Sequence, residues 1–255
     1  MRPKPSLLNI LYSRRTIRRF RKKEITEDVL RLIIEAGQRA PCYYQAYSVV
    51  WVKDEAKLKE LGELCDSGLV TQASAVLVIC LDLHRLRLVL DKLGHDHFMR
   101  EDKYPAESFF AIFETALLAE NMCIAAEVLG YGSAMLDCVL FEFEGVAQLL
   151  QLPPGVIPAV VLCMGEKDEN PPPRPRWPTD SVLHRDTYRD LDVSEVDRYL
   201  DLAEKLLGAE GYLRKYANWN DSYREYLKAR TSTTKDTKRH AEELSRLLKQ
   251  NGLRL

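Results

Sequence analysis

Apolar positions near the N-terminus recur with helical spacing: Ser6 is placed to cap a short helix carrying Leu7, Leu8, Ile10 and Leu11. The arginine-rich run from Arg14 to Lys23 then leads into an extended or turn segment. A clearer helix opens at Thr26, with Glu27 and Asp28 in its first turn and Ile25 and Leu30 placed as a hydrophobic staple. Pro41 blocks continuation, so this helix should end near Arg39. Ser48 to Val52 is β-branched and aromatic enough for a strand, and Ala56 to Cys65 returns to helical spacing. Ala75 to Leu81 is apolar without alternation, which predicts a strand covered on both faces.

From Pro105 to Leu129 apolar residues surround the whole helical circumference. The expectation is a helix buried on all sides, ending at Gly130 and suited to a position shared between two subunits. Val156 to Met164 reads as another buried strand, followed by Gly165 and the proline-rich loop Asn170 to Pro178. One domain is complete by about Leu191, giving a division into residues 1–191 and a helical extension, 192–255. In the extension Val196, Leu200, Ala203 and Leu207 mark one helix, broken by Gly208 and Gly211. Tyr223, Tyr226 and Leu227 mark a second, and Ala241, Leu244 and Leu248 a third. Tyr212, Tyr216, Trp219, Tyr223 and Tyr226 are expected to form an arm over a partner subunit, a cover for a pocket or a protein-binding surface; the arm is preferred because it buries an otherwise exposed aromatic patch.

Composition narrows the classes of function. The 255 residues are 46% hydrophobic and 29% charged, with a formal net charge of -1. No global field gathers nucleic acid or an anionic membrane, so any anion site must be local. The apolar strands are far shorter than the roughly 20 residues of a membrane span, and Arg14, Arg15 and Arg18 interrupt the N-terminal apolar residues. A cytoplasmic protein without a membrane span is expected. Six cysteines lack any CxxC pair, and four have the apolar surroundings of buried, reduced thiols; Cys42 and Cys138 fall in loops. Gly94-His95-Asp96-His97 is read as a polar loop, with no metal expected.

Met1 to Lys23 holds nine Lys or Arg and no acidic residue. Guanidinium groups offer paired donors matched to phosphate, and Thr16 adds a hydroxyl, although a solvated basic face or an electrostatic attraction to nucleic acid has the same appearance. A second cationic segment, Pro171-Pro172-Pro173-Arg174-Pro175-Arg176, places two arginines on a stiff backbone after a buried strand and suggests two clamps on one anion.

In this order the motifs resemble the nitroreductase family of flavoproteins. Arg14-Arg15-Thr16-Ile17-Arg18 with Phe20 is similar to the family's N-terminal basic pattern, and Ala40-Pro41-Cys42 to its Ala-Pro-Ser. Leu129-Gly130-Tyr131-Gly132-Ser133 is similar to the end of its buried helix, Leu136-Asp137-Cys138 to the segment that meets the flavin ring, and Val160 to Gly165 with Arg174 and Arg176 to its strand, glycine and phosphate-side arginine. The resemblance runs from about Leu7 to Leu191. It implies an α+β fold with a central mixed sheet flanked by helices and a long buried helix at a homodimer interface.

The resemblance also implies FMN as cofactor, NAD(P)H as co-substrate and ping-pong transfer to a nitroaromatic, quinone or flavin. Arg14, Arg15, Thr16, Arg174 and Arg176 would serve the phosphate, and Arg18 the ribityl chain or N1–O2 edge. Pro41, Cys42, Tyr43 and Gln45 would line the ring, with backbone of Leu136, Asp137 and Cys138 near N5. The chemistry belongs to the flavin, without a catalytic side chain. Cys138 is read as a small residue fitted to a tight turn, with a redox thiol as the alternative, and His95 to Tyr104 as a pocket lid. The sequence departs from the family after Pro41: Cys42-Tyr43-Tyr44-Gln45-Ala46-Tyr47 lacks the Asn and the Gln-Pro-Trp of many members. Two rivals remain, a family member that holds FMN without NAD(P)H turnover, such as a flavin-degrading or dehalogenating enzyme, and a flavin-free nucleic-acid-binding protein.

Overall fold

The computed structural model describes residues 7–97, 99 and 105–253. Ser6, expected as a cap, and Phe98 and Arg100 to Tyr104 of the expected lid lie outside them. The chain forms two compact units, one of residues 1–170 with 236–255 and the other of 171–235. These units are bounded at 170/171 and 235/236.

In the first unit the helices are α1 (Leu7–Ser13), α2 (Glu27–Gly37), α3 (Glu55–Leu64), α4 (Leu69–Gln72), α5 (Leu83–Lys92), α6 (Pro105–Val128) and α7 (Phe143–Leu149), with α11 (Lys235–Gln250) returning at the C-terminal end. The strands are β1 (Phe20–Arg21), β2 (Tyr47–Val52), β3 (Ala75–Asp82), β4 (Tyr131–Leu136) and β5 (Val156–Lys167). Every strand pairing described is antiparallel, in the order β1-β5-β3-β2 with β4 also paired to β5. The expected mixture of directions is reduced to one isolated parallel bridge, Thr16 to Ser133.

All eight residues of β3 are buried, as its lack of alternation predicts. Side chains still alternate in direction, so the strand serves two cores. Ala75, Leu77 and Ile79 join Leu162 and Met164 against Leu30 and Ile33 of α2 and Leu118 and Met122 of α6. Val76, Val78 and Cys80 join Val161 and Cys163 against Leu61 of α3, Val70 of α4 and Val146 of α7. The register of β3 on β5 shifts between Ile79 and Cys80, opposite Val160 and Pro158; proline supplies no ladder N–H and is accommodated at such a bulge. Beyond the shift, Leu81 and Ile157 meet Leu247 and Leu253 from the end of the chain.

The long helix α6 is buried on one side only within the single chain. Ala111, Leu118, Met122 and Ala126 are buried, but Phe109, Phe110 and Phe113 are 62%, 45% and 55% exposed in the single chain. Its Ala106–Val128 portion is the one described helix long and apolar enough to cross a membrane. A buried carboxylate, Glu114, and buried Ser108 and Thr115 lie on its core side, where the helix packs against α2 and the sheet. These are the features of a core helix within this unit.

The second unit holds α8 (Val193–Glu210), α9 (Tyr212–Ala217) and α10 (Tyr223–Thr231). Asp192 and Glu195 form a reciprocal capping box at the start of α8. The helix continues through Gly208, contrary to the expected break, and stops at Gly211. Within this unit Tyr212 contacts Tyr216, and Tyr226 contacts both Trp219 and Tyr223.

Candidate active site

The arginine segment is fixed by its apolar residue. Ile17 is 2% exposed, its N–H donates to the Ser133 carbonyl at 2.9 Å, and Thr16 bridges Ser133. This docks the segment on β4. A Cβ added to Gly132 would lie 2.5 Å from Ile17 Cγ1, and one on Gly165 would lie 2.8 Å from the Phe20 ring. The two glycines of the motifs are therefore required by the close approach of Ile17 and Phe20.

Carboxylates far away in sequence surround the segment. Arg14 Nε is 3.8 Å from Glu120, an ion pair longer than a hydrogen bond. Arg15 Nη1 donates to the carbonyls of Tyr12 at 3.2 Å and Arg14 at 3.4 Å, and to that of Ser13. Glu169, whose side chain is 7% exposed, accepts the Arg18 N–H at 2.5 Å and faces Arg19 Nε at 3.5 Å. Arg21 pairs with Asp168 and Glu166, and Lys23 with Glu166 at 2.8 Å. The hydrogen bond from Lys23 holds the Glu166 carboxyl below its ordinary range, and those to Asp168 and Glu166 raise Arg21 and Lys23 respectively.

Residues 41–46 form a second cluster. One buried carboxylate on α6 organises it: Glu114 Oε1 accepts the N–H groups of Tyr43 and Tyr44, the latter at 2.6 Å, and Oε2 accepts that of Ala46 at 3.0 Å. From α5, Arg85 Nη2 donates to the Gln45 carbonyl at 2.8 Å and to that of Tyr47. The loop thus has its donors held by an anion and its acceptors by a cation, with Gln45 at φ 53 between them. Pro41, Cys42 and Gln45 are exposed; Tyr43 is 77% exposed and stacks on Phe110 with centroids 6.0 Å apart. Helix α6 carries four glutamates, Glu107, Glu114, Glu120 and Glu127, and nothing in the sequence singled out Glu114. Arg85 had no signal either.

At the far end of β4, Leu136 is half-buried and Asp137 exposed. Cys138 corrects the reading of a small free thiol in a tight turn, because it is disulfide-bonded to Cys65, with Cα atoms 5.0 Å apart at a sequence separation of 73. Cys65, taken with the buried reduced thiols, is half-buried and bonded; Cys42, Cys80, Cys123 and Cys163 are free.

The two loop arginines differ. Arg174 Nη2 donates to Glu210 Oε1 at 3.3 Å and Nη1 to Oε2, and its guanidinium carbon lies 3.7 Å from the Tyr212 ring centroid. Arg176 is exposed and donates to the Pro175 carbonyl at 3.0 Å. Both lie in the second unit. His97 is buried, with Nε2 2.9 Å from Asp91 Oδ1. Among the described residues no group of three or more His, Cys, Asp or Glu could hold a metal ion.

Comparison with known proteins agrees with this architecture. A family model described as "Nitroreductase family" matches residues 11–166. The chain is 30% identical over 218 residues to an NADPH-dependent oxidoreductase of Staphylococcus aureus, covering 83% of this chain and 84% of the relative. It is 31% identical over 185 residues to the protein of the same name from Staphylococcus saprophyticus, with 71% and 73% covered. Among solved structures, the NfrA1 nitroreductase from B. subtilis superposes with a TM-score of 0.81 at 24% identity, over 97% of this chain and 98% of that one. The NADPH:FMN oxidoreductase from Vibrio harveyi complexed with NAD+ gives 0.78 at 23% identity, over 96% and 97%. At these identities the structures attest the fold.

Proposed function

The chain belongs to the nitroreductase family, and we propose that it is an FMN-dependent oxidoreductase passing electrons from NAD(P)H to a small oxidised acceptor such as a nitroaromatic, a quinone or a flavin. The observation that carries this reading is the placing of two chemistries along β4. Thr16 and Ile17 dock at Ser133, and Asp137, an exposed residue just past the end of β4, follows about 13 Å along the chain at ~3.3 Å per residue. A phosphate held at the first end leaves room for a ribityl chain and ring towards the second.

The donor set fits FMN. Arg14, Arg15 and Thr16 offer guanidinium and hydroxyl donors to a phosphate, and the Arg14 side chain is 26% exposed with its carboxylate at 3.8 Å. Glu169, which accepts the Arg18 N–H, sets a carboxylate among these cations. When bound, FMN supplies hydride acceptance at N5 and release of the electron pair. Arg18 would stabilise negative charge at the ribityl side or the N1–O2 edge. Backbone of Leu136, Asp137 and Cys138 would orient the N5 edge, while Pro41, Cys42, Tyr43 and Gln45 would wall the ring and exclude water. Arg176, which follows the proline-rich run after β5, would add a guanidinium to the phosphate. Arg174, held by Glu210 and Tyr212, would support its loop.

A single open face would serve nicotinamide and acceptor in turn, giving ping-pong kinetics. The exposed Leu7, Leu8, Leu11, Phe109, Phe110 and Phe113 support a homodimer that covers them, with composite sites. Small molecules rather than nucleic acid or membrane are the proposed ligands, in a cytoplasmic setting.

The test is the visible spectrum of the purified protein before and after anaerobic NADPH, with the released chromophore identified. Yellow protein that bleaches and releases FMN is expected; protein that takes up no flavin on reconstitution overturns the reading. Bound flavin that NADPH and NADH both leave oxidised overturns the nicotinamide half alone.

A further inference from the structure

Of the six cysteines, three are core residues. Burial pushes the thiols of Cys80, Cys123 and Cys163 up to about 12, 11 and 12, leaving them protonated and unreactive. Cys42 is exposed and single. Cys65 and Cys138 are the bonded pair, and both are half-buried.

Cys65 caps the C-terminus of α3, and Cys138 begins the short 3-10 turn Cys138–Leu140 that follows β4. Both segments are also held by contacts other than the sulfur bridge. Leu61 of α3, Val70, Val139 beside Cys138 and Val146 of α7 share one buried core, and Leu140 and Phe141 donate their N–H groups to the carbonyls of Asp137 and Cys138 at 3.0 and 2.9 Å. Opening the bridge therefore removes a link between elements that the core already holds together. The bridge also adjoins the backbone proposed to orient the reacting edge of the cofactor, and an electron-pair donor placed there lies beside a disulfide.

We infer that Cys65 and Cys138 form a second redox centre, a disulfide that is reduced to two thiols by the electron pair NADPH delivers through the flavin. This rests on the proposed FMN site. In the net step the nicotinamide C4–H bond and the S–S bond break and two S–H bonds form: one NADPH, one proton and one disulfide give NADP+ and two thiols, with the flavin regenerated oxidised. The chain then stores two electron pairs, one on the flavin and one on the sulfurs, and the state of the pair sets whether the Leu136–Cys138 backbone is tied to α3.

The experiment uses the flavin-loaded full chain without added reducing agent. It is titrated anaerobically with NADPH, followed by flavin bleaching and by alkylation of the native protein with iodoacetamide, with each modified cysteine located by mass spectrometry. Before NADPH, neither Cys65 nor Cys138 is expected to be alkylated; afterwards both are. Full reduction is expected to consume about two equivalents of NADPH per chain, and about one in Cys65→Ser. Flavin that bleaches with one equivalent while Cys65 and Cys138 stay unlabelled overturns the inference and leaves the FMN reading intact. Finding both thiols already free in the air-exposed protein overturns it as well. Flavin that does not bleach overturns the nicotinamide reading and this inference together. Should Cys65→Ser fail to fold, the labelling of the unaltered chain decides the matter.

Discussion

Arg174 and Arg14 are the same residue type in two basic runs, yet the structure uses them differently. Arg174 meets a carboxylate 6% exposed, in a bidentate contact completed by an aromatic face. Arg14 meets one that is 49% exposed, across 3.8 Å. The first geometry suits a structural tie and the second leaves donors for a ligand. A guanidinium in sequence states that an anion is wanted; burial of the available carboxylate decides whether that anion is part of the protein.

The largest effect that sharpens the contrast is expected from Glu210→Gln, which leaves the half-buried Arg174 charge without its partner. A loss of about 3 kcal/mol within residues 171–235 is expected, read as faster amide exchange in that unit with exchange in β3 and β5 unchanged. Equal effects in both units would show that the tie is not local. Next, Arg14→Ala combined with Arg176→Ala should weaken FMN retention by about 100-fold, the equivalent of two charge-assisted hydrogen bonds, in a protein whose thermal midpoint is little altered. Unchanged flavin occupancy would sink the assignment of these arginines to the phosphate.

The smallest effect concerns a third arginine, Arg189, paired with Glu195 at 2.7 Å on the surface. Hydrogen bonds from Arg189 and from the Asp192 N–H lower the Glu195 pKa to about 2. Because the folded value lies below the ordinary carboxylate value, this contribution is present above about pH 4 and is lost as pH falls through about 2. Acid titration followed by carbon-detected NMR of the Glu195 carboxyl should find its midpoint below those of solvated glutamates, and Arg189→Ala should return it to their range. A midpoint unmoved by that substitution would show that the pair contributes nothing.

Reading the chain alone recovers the elements whose signals are local. Thr26, the staple and Pro41 locate α2, and the unbroken apolar run locates β3. Segments without a strong apolar run escaped: α5 and α7 have short or mixed patterns, and β4 contains three small residues, Gly132, Ser133 and Ala134, that carry little strand signal. Among the candidate site residues, Arg14 to Arg18 and the loop after Pro41 were legible because residue type and order mark them. The residues that orient them were not. Glu114 is 68 to 71 residues from the amides it binds, Glu169 is 151 from Arg18, and Cys65 is 73 from Cys138.

By itself, therefore, the sequence determined the family, the two-sided burial of β3 and β5, and the residue types available to an anion and a ring, because periodicity, caps and short motifs are properties of neighbouring residues. Only the tertiary structure decided which arginine is already paired, that α6 leaves an apolar face uncovered in one chain, that one buried carboxylate holds three loop amides, and that two of the cysteines meet. Each of these depends on which distant segment folding brings into contact, and on whether the shared surroundings exclude water.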